Sequence, residues 1–341
     1  MAGVREQHQI VRGVILDDWS RLLASPPLPC HALHTPQAHA LAHDDFPHAA
    51  QSPMKRKQNW QRWRHSKPPM SLAYVAACAT CLTAPLLSTP AGSCTARQLP
   101  HTRTPQIRRL YGAFVHMEDV VGVFQWADID LGAVLSTVRR GLTESEARGL
   151  LRPLLYSLHA IHEAGWRHND IKPGNILCTL QGDVMLCDFG QACRTEDCKP
   201  AGTRWYRSPA ALAGTADAAA DSWALGACMV ELLSGAPPAL GSSDLQQLCL
   251  TGAVAGVPKQ QAVGLPVHIP SGPAMPASML LPGSSKQAAE FARAALTWDS
   301  DARASPGQLL AMPWLVTSNA EHDRAAATLL IAAALGEPGL T

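Results

Sequence analysis

One run of the sequence restricts the possible folds more than any other. A helix, a polar loop and a tight hairpin follow one another between residues 143 and 190. Thr143-Glu144-Ser145-Glu146 reads as a helix start, with Thr143 as N-cap and Glu146 three residues on. Leu150, Leu151, Leu154, Leu155, Leu158 and Ile161 then recur at helical spacing, and Gly165 ends the helix. Two short apolar pieces, Ile176-Leu177-Cys178 and Val184-Met185-Leu186, flank the turn Gln181-Gly182-Asp183 and read as a hairpin. Between helix and hairpin stands His168-Asn169-Asp170-Ile171-Lys172-Pro173-Gly174-Asn175, and just past the hairpin Asp188-Phe189-Gly190. The hairpin returns the chain beside the loop, so the polar groups of both stretches are expected to share one site.

Those groups suit phosphoryl transfer. That chemistry asks a protein for a carboxylate to orient the attacking hydroxyl, ligands for metals on the phosphates, and donors that hold charge in place. Asp170 can accept the proton of a substrate hydroxyl. Lys172, two residues on, can steady the transferred phosphate. Asn175 offers an amide oxygen to a magnesium ion, and Asp188 a second hard ligand.

The order and spacing resemble the eukaryotic protein kinases, whose catalytic loop reads H-R-D-x-K-x-x-N and whose metal turn reads D-F-G. Lysine two residues after the catalytic Asp is the serine/threonine form. Gly202-Thr203-Arg204-Trp205-Tyr206-Arg207-Ser208-Pro209 is similar to the G-T-R-W-Y-R-A-P-E segment of cyclin-dependent kinases and their relatives. The resemblance implies that Thr203 bonds toward Asp170 and Lys172, and that Arg207 lies near a pocket favouring Pro after the phosphorylated Ser or Thr. Asp221-Ser222-Trp223-Ala224-Leu225-Gly226 resembles D-x-W-S-x-G, whose Asp holds the catalytic-loop backbone. Val123 to Leu131 resembles the hinge, with Phe124 as gatekeeper. By the same resemblance Gln125, Ala127, Asp130 and Leu177 belong to the nucleotide site, and Trp126 is either an adenine neighbour or a core aromatic.

What the resemblance implies is an α+β, protein kinase-like fold. Residues 132–316 would form a mainly helical C-terminal lobe, and 104–131 the strands and hinge of an incomplete small β lobe. Residues 1–103 would be an irregular or disordered leader, and 317–341 an Ala-rich tail. Arg109 to His116 and Val120 to Trp126 read as strands with Glu118-Asp119 as their turn. Asp221 to Leu233, Lys286 to Leu296 and Pro306 to Met312 read as helices. ATP and Mg2+ are the implied cofactors and a protein the implied substrate, with proline-directed Ser or Thr and a cyclin-like regulator as further analogies.

Departures from the family pattern carry their own expectations. The first 111 residues hold only Gly3, Gly13 and Gly92, so no glycine-rich phosphate loop is found there, and Lys67 is the last lysine before Lys172. Thr95 stands where the helix glutamate is expected. An interaction scaffold with weak turnover is therefore the alternative to an active enzyme. Asn169 replaces the arginine before the catalytic Asp, and Cys198 stands at the usual phosphorylated Thr position, so activity independent of that phosphorylation is expected. Ala210 replaces the glutamate that in the family pairs with the arginine matched by Arg303. Arg303 then needs Glu231 or another carboxylate, and Ala210→Glu is expected to raise the melting temperature.

Composition bounds the remaining classes. With 341 residues the chain could form one large or two medium domains, and a net charge of +1 makes no electrostatic case for nucleic acid. Cys78-x-x-Cys81 and Cys94 lack the second pair that a zinc set needs. Other cysteines read as small core residues or exposed thiols, which suits a reducing compartment and a cytoplasmic or nuclear location. Residues 68–96 are uncharged behind a basic flank, but Pro85 and Pro90 dilute them. The expectation is no membrane span, with an organelle-targeting or membrane segment at 68–96 kept as the alternative.

Overall fold

The computed structural model describes residues 106–116, 119–259 and 268–337. The leader expected over 1–103, the Cys78–Cys94 group and the 68–96 segment lie outside the described residues. The described residues fall into two units. One is a hairpin within Arg109–Gln125; the other is mostly helical and comprises 106–108 and everything from Trp126 onward.

In the hairpin, β1 (Leu110–His116) pairs antiparallel with β2 (Asp119–Phe124), with Ala113 opposite Gly122 and Val115 opposite Val120. Asp119, expected in the turn, is the first residue of β2 and sits opposite His116. The register slips between Leu110 and Gly112.

The helical unit opens with β3 (Ile129–Asp130) and α1 (Leu131–Val138). Asp130 caps α1, its carboxylate accepting the Ala133 N–H at 3.0 Å. The long helix α2 (Glu144–Glu163) begins at the expected box: Thr143 and Glu146 exchange hydrogen bonds between side chain and backbone N–H. Its six periodic apolar residues, Leu150 through Ile161, are all fully buried. They build the face that the rest of the unit packs on. Gly165, in the left-handed conformation at φ 78°, turns the chain out of the helix.

Next come β4 (Trp166–Arg167), the loop, β5 (Ile176–Cys178), β6 (Val184–Leu186) and β7 (Cys193–Arg194). β5 lies between β3 and β6 in one antiparallel sheet, and residue Ile107 bridges to Leu186 on its far edge. β4 pairs with β7 in a separate two-stranded ladder. This pairing brings the stretch after the hairpin back to the start of the polar loop.

Helices α3 (Pro209–Leu212), α4 (Ala220–Ser234), α5 (Asp244–Ala255), α6 (Ala277–Leu280), α7 (Lys286–Ala295), α8 (Pro306–Leu310), α9 (Pro313–Val316) and α10 (Ala320–Leu335) complete the unit. α4 is buried on every side from Asp221 to Val230, as a helix apolar all round must be. The helix expected at Pro306 stops at Leu310 because Pro313 begins another turn. The Ala-rich 317–341 stretch contains α10, which packs along α2. There Asp323, almost fully buried, accepts from Arg148, Arg152, Ser145 and Ser318. Gly149 permits the close approach, since a Cβ there would strike the Asp323 carbonyl.

Candidate active site

The loop between β4 and β5 is held from beneath by Asp221, on the first turn of α4. Its carboxylate accepts the backbone N–H groups of His168 at 2.8 Å and Asn169 at 2.7 Å, and meets His162 Nε2 at 2.8 Å. Burial opposes ionisation of Asp221, but these bonds and the nearby imidazoles outweigh it and pull its pKa down to about 2. His168 is fully buried. Its Nδ1 accepts the Asp170 N–H at 3.3 Å, and its Nε2 lies 2.9 Å from the Cys187 carbonyl, so one neutral tautomer serves both contacts. Burial pushes its pKa below the usual histidine range. The His168 ring also meets Phe189 edge-on at 4.7 Å.

Three side chains converge on Asp170. Lys172 Nζ donates to Asp170 Oδ2 at 2.8 Å and to Thr203 Oγ1 at 2.9 Å. Thr203 donates to Asp170 Oδ1 from its backbone N–H at 2.8 Å and from its hydroxyl at 2.7 Å. Asn175 Nδ2 donates to the Asp170 carbonyl at 2.7 Å and to Oδ2 at 3.0 Å. Burial works against the charged carboxyl, yet the Lys172 and Thr203 bonds hold Asp170 below the ordinary carboxylate range. Gly202, at φ 95°, lets the chain reach Asp170: a Cβ there would strike the Asn169 carbonyl.

Asp188 reaches the same place through backbone. The Cys187 N–H donates to the Asn175 carbonyl at 3.0 Å, so Asp188 follows directly on a residue tied to Asn175. Its exposed side chain caps the Gly190 N–H at 3.2 Å from a left-handed backbone at φ 59°. Both Asn175 bonds use its Nδ2 donor, which leaves the amide oxygen for another partner. An amide oxygen and an exposed carboxylate are hard oxygen donors of the kind Mg2+ takes together with phosphate oxygens and water. The residues present therefore fit that ion.

Ala127 and Leu177 pack together with Met185 in a small apolar cluster. Asp130 lies opposite Leu177 on β3. Gln125 belongs to the hairpin unit, where its N–H bonds the Arg109 carbonyl at 2.8 Å. Trp126 is 53% exposed, which settles it as a surface aromatic and not a core one.

Known proteins share this arrangement of sequence. A family profile described as the protein kinase domain matches residues 96–315. The chain belongs to the protein kinase family. It is 31% identical over 225 residues to cyclin-dependent kinase 20 of Danio rerio, covering 61% of this chain and 65% of that one. It is 41% identical over 127 residues to putative cyclin-dependent kinase F-2 of Oryza sativa subsp. japonica, covering 35% and 39%. A tobacco (Nicotiana tabacum) mitogen-activated protein kinase homolog, NTF6, is 31% identical over 214 residues, covering 58% and 57%. The chain thus spans roughly two fifths to two thirds of the length of these relatives. Its α+β fold is that of a protein kinase, mostly helical in the described residues, and its likeness runs to the serine/threonine, cyclin-dependent kinase-like members.

Two places in this chain differ from the family pattern. Arg303 is not left without a carboxylate, and Glu231 is not its partner. Asp217 lies 2.6 Å from Arg303 Nη1 with both side chains fully buried. The guanidinium also donates to the carbonyls of Thr297, Trp298 and Ala219 and stacks 5.3 Å above the Trp223 ring. Glu231 instead accepts the Tyr206 hydroxyl at 2.7 Å. Spacing gave no signal for Asp217, which sits in a loop 86 residues from Arg303.

The second difference concerns cysteine. Cys178 and Cys228 are buried and Cys249 is exposed, as small core residues and surface thiols. Cys193 and Cys198, however, are joined in a disulfide. Asn169, at the family's arginine position, points its Nδ2 at both sulfurs, 2.9 Å from Cys193 and 3.7 Å from Cys198. Among the described residues no group of three or more His, Cys, Asp or Glu side chains is arranged to hold a metal ion, and no helix is long and apolar enough to cross a membrane.

Proposed function

We propose that this chain transfers the terminal phosphoryl group of Mg-ATP to a serine or threonine hydroxyl of a protein, with Asp170 as the base. The observation that carries the reading is the convergence of Lys172, Thr203 and Asn175 on the one carboxylate of Asp170. Held ionised, Asp170 orients the attacking hydroxyl and receives its proton. Lys172, already between Asp170 and Thr203, lies where charge develops on the transferred group. Thr203 fixes the carboxylate and ties the substrate-side segment to it. Asn175 and Asp188 would hold the magnesium, which when bound neutralises phosphate charge. Ala127, Asp130 and Leu177 are proposed to receive the nucleotide; Gln125, which the family resemblance adds, belongs to the hairpin unit. A Ser/Thr-Pro substrate and a cyclin-like regulator are the finer parts of the reading, suggested by the Arg207 segment and by the relatives' names.

A second reading has its own support. The sequence before Tyr111 holds no G-x-G-x-x-G and no V-A-I-K lysine, the groups that clamp ATP phosphates in kinases. On that reading the lobe is an interaction scaffold with little turnover. A magnesium-dependent ATP titration of the full chain, beside Asp188→Ala, separates the two. The enzyme reading expects binding that Asp188→Ala abolishes, and transfer to a Ser/Thr-Pro peptide that falls about 10²–10⁴-fold in Asp170→Asn. No magnesium-dependent binding in the full chain favours the scaffold.

A further inference from the structure

We propose that Cys193 and Cys198 form a redox modification site: oxidised, the pair fastens the segment before Thr203 against the loop that carries Asp170; reduced, it releases that segment. The location makes the case. Cys193 lies opposite Arg167 in the β4–β7 ladder, one residue before His168. The bridge closes over the single turn Thr195–Asp197, whose Thr195 N–H and hydroxyl both bond the Gly165 carbonyl. Four residues beyond Cys198 the chain reaches Gly202 and Thr203, which sit on Asn169 and Asp170. One covalent loop therefore stands between the ladder at the start of the catalytic loop and the residue that fixes its carboxylate.

Noncovalent support for this loop comes from the β4–β7 ladder, the Thr195 bonds to Gly165 and the Arg194 guanidinium 4.9 Å above the Trp166 ring. Arg194, Glu196, Asp197, Lys199 and Pro200 are all exposed, and Asn169 is the side chain that meets the sulfurs. Where a segment has few buried contacts, its order depends on the bonds that remain. Among the described residues the other four cysteines are unpaired, and a bridge that stands alone among them suits a reversible, sensing role.

Release needs a dithiol reductant. Its thiolate attacks the Cys193 sulfur, the more exposed of the two, forming a mixed disulfide as Cys198 leaves and takes up a proton. The second thiol of the reductant then displaces Cys193, which is protonated in turn. One disulfide breaks here and one forms on the reductant, with two electrons and two protons passed to this pair.

The test uses the full chain equilibrated with oxidised glutathione or with dithiothreitol, read by differential alkylation and by amide hydrogen exchange. Cys193 and Cys198 should alkylate only after dithiothreitol. Exchange in the 193–203 peptide should rise about tenfold on reduction, while the α4 peptide stays protected and reports an intact lobe. The Cys193→Ser/Cys198→Ser double variant should exchange at the reduced rate under both conditions. Alkylation of the pair in oxidised glutathione would overturn the proposal, as would equal 193–203 protection in both states. Neither readout involves phosphoryl transfer, so a chain without kinase activity leaves this test standing.

Discussion

The catalytic loop and the segment that follows it are anchored in opposite ways. Beneath the loop, Asp221 is fully buried and accepts two backbone N–H groups while meeting His162. Across the segment, Arg204 and Arg207 share Asp244, whose carboxylate is 48% exposed, Thr203 bonds Asp170 and Lys172, and the Cys193–Cys198 disulfide closes its first turn. The loop's geometry is therefore part of the fold itself, set when α4 packs. The segment's geometry depends in part on bonds that solvent, salt or reductant can reach. A lobe built this way holds Asp170 and Asn175 in a preformed loop, and leaves the Arg204–Arg207 side as the part that conditions can alter.

Removing the buried anchor should have the largest effect. Asp221→Ala strands two backbone donors and a histidine in the interior, at a cost of roughly 3–5 kcal/mol. Chemical denaturation should show that loss. A loss under 1 kcal/mol would mean that water or another group can take over the carboxylate, and the contrast between loop and segment would fail.

Acid should act on the same anchor less severely. The folded pKa of Asp221, about 2, lies below its ordinary value of 3.8, so the unfolded chain binds the proton first. The stability it contributes is full above about pH 4 and is lost as pH falls toward 2, by about 2 kcal/mol. His168, depressed by burial, acts in the same direction from its ordinary 6.5 downward. Denaturation midpoints of the wild type and Asp221→Asn across pH 2–5 check this, because the variant should lose the lower step. An unchanged step would assign it to other carboxylates.

The exposed anchor should matter least of the three. Asp244→Ala removes a surface bridge to Arg204 and Arg207, which by general experience is worth about 0.2–1 kcal/mol. Stability should fall by no more than that, and 1 M salt should erase most of the difference. A loss near that of Asp221→Ala would show that the segment is as deeply built in as the loop.

How far the sequence foretold these regions follows the same division. The helix over Leu150 to Ile161 and the hairpin at Ile176 and Val184 rest on short-range patterns, whereas the meeting of Thr203 with Asp170, 33 residues apart, is implied only by the family resemblance. Periodicity, a capping box and fixed spacing are local, so they can be read without tertiary knowledge. Asp217 and the Cys193–Cys198 bridge were not foreseen for different reasons. Asp217 meets Arg303 only because two distant loops fold together, and no spacing encodes that. Five residues between two cysteines allow a bridge but do not demand one, and the scattered thiols elsewhere argued for a reduced state. α10 lies in a stretch whose composition reads as an Ala-rich tail, although Asn319 and Gly336 bracket it with an N-cap and a left-handed C-cap.

The smallest expected effect concerns Ala210. Reasoning from the family pattern alone, a glutamate there should have restored a missing partner to Arg303 and stabilised the lobe. In the structure Arg303 already has Asp217 at 2.6 Å and three carbonyls, which occupy its guanidinium, with the Trp223 ring 5.3 Å away. Four of the five guanidinium N–H groups are taken, and Ala210 is only part-buried, so a glutamate there has little left to pair with and some hydration to lose. Ala210→Glu should therefore leave the melting temperature unchanged or lower it, by thermal unfolding at neutral pH. The informative companion is Asp217→Ala, which removes the existing partner, combined with Ala210→Glu in the double variant. If the glutamate restores what Asp217→Ala loses, position 210 remains within reach of Arg303, and the two carboxylates are alternative solutions to one buried charge. If it restores nothing, the surrounding loops have rearranged around Asp217, and the pairing is specific to this chain's own packing.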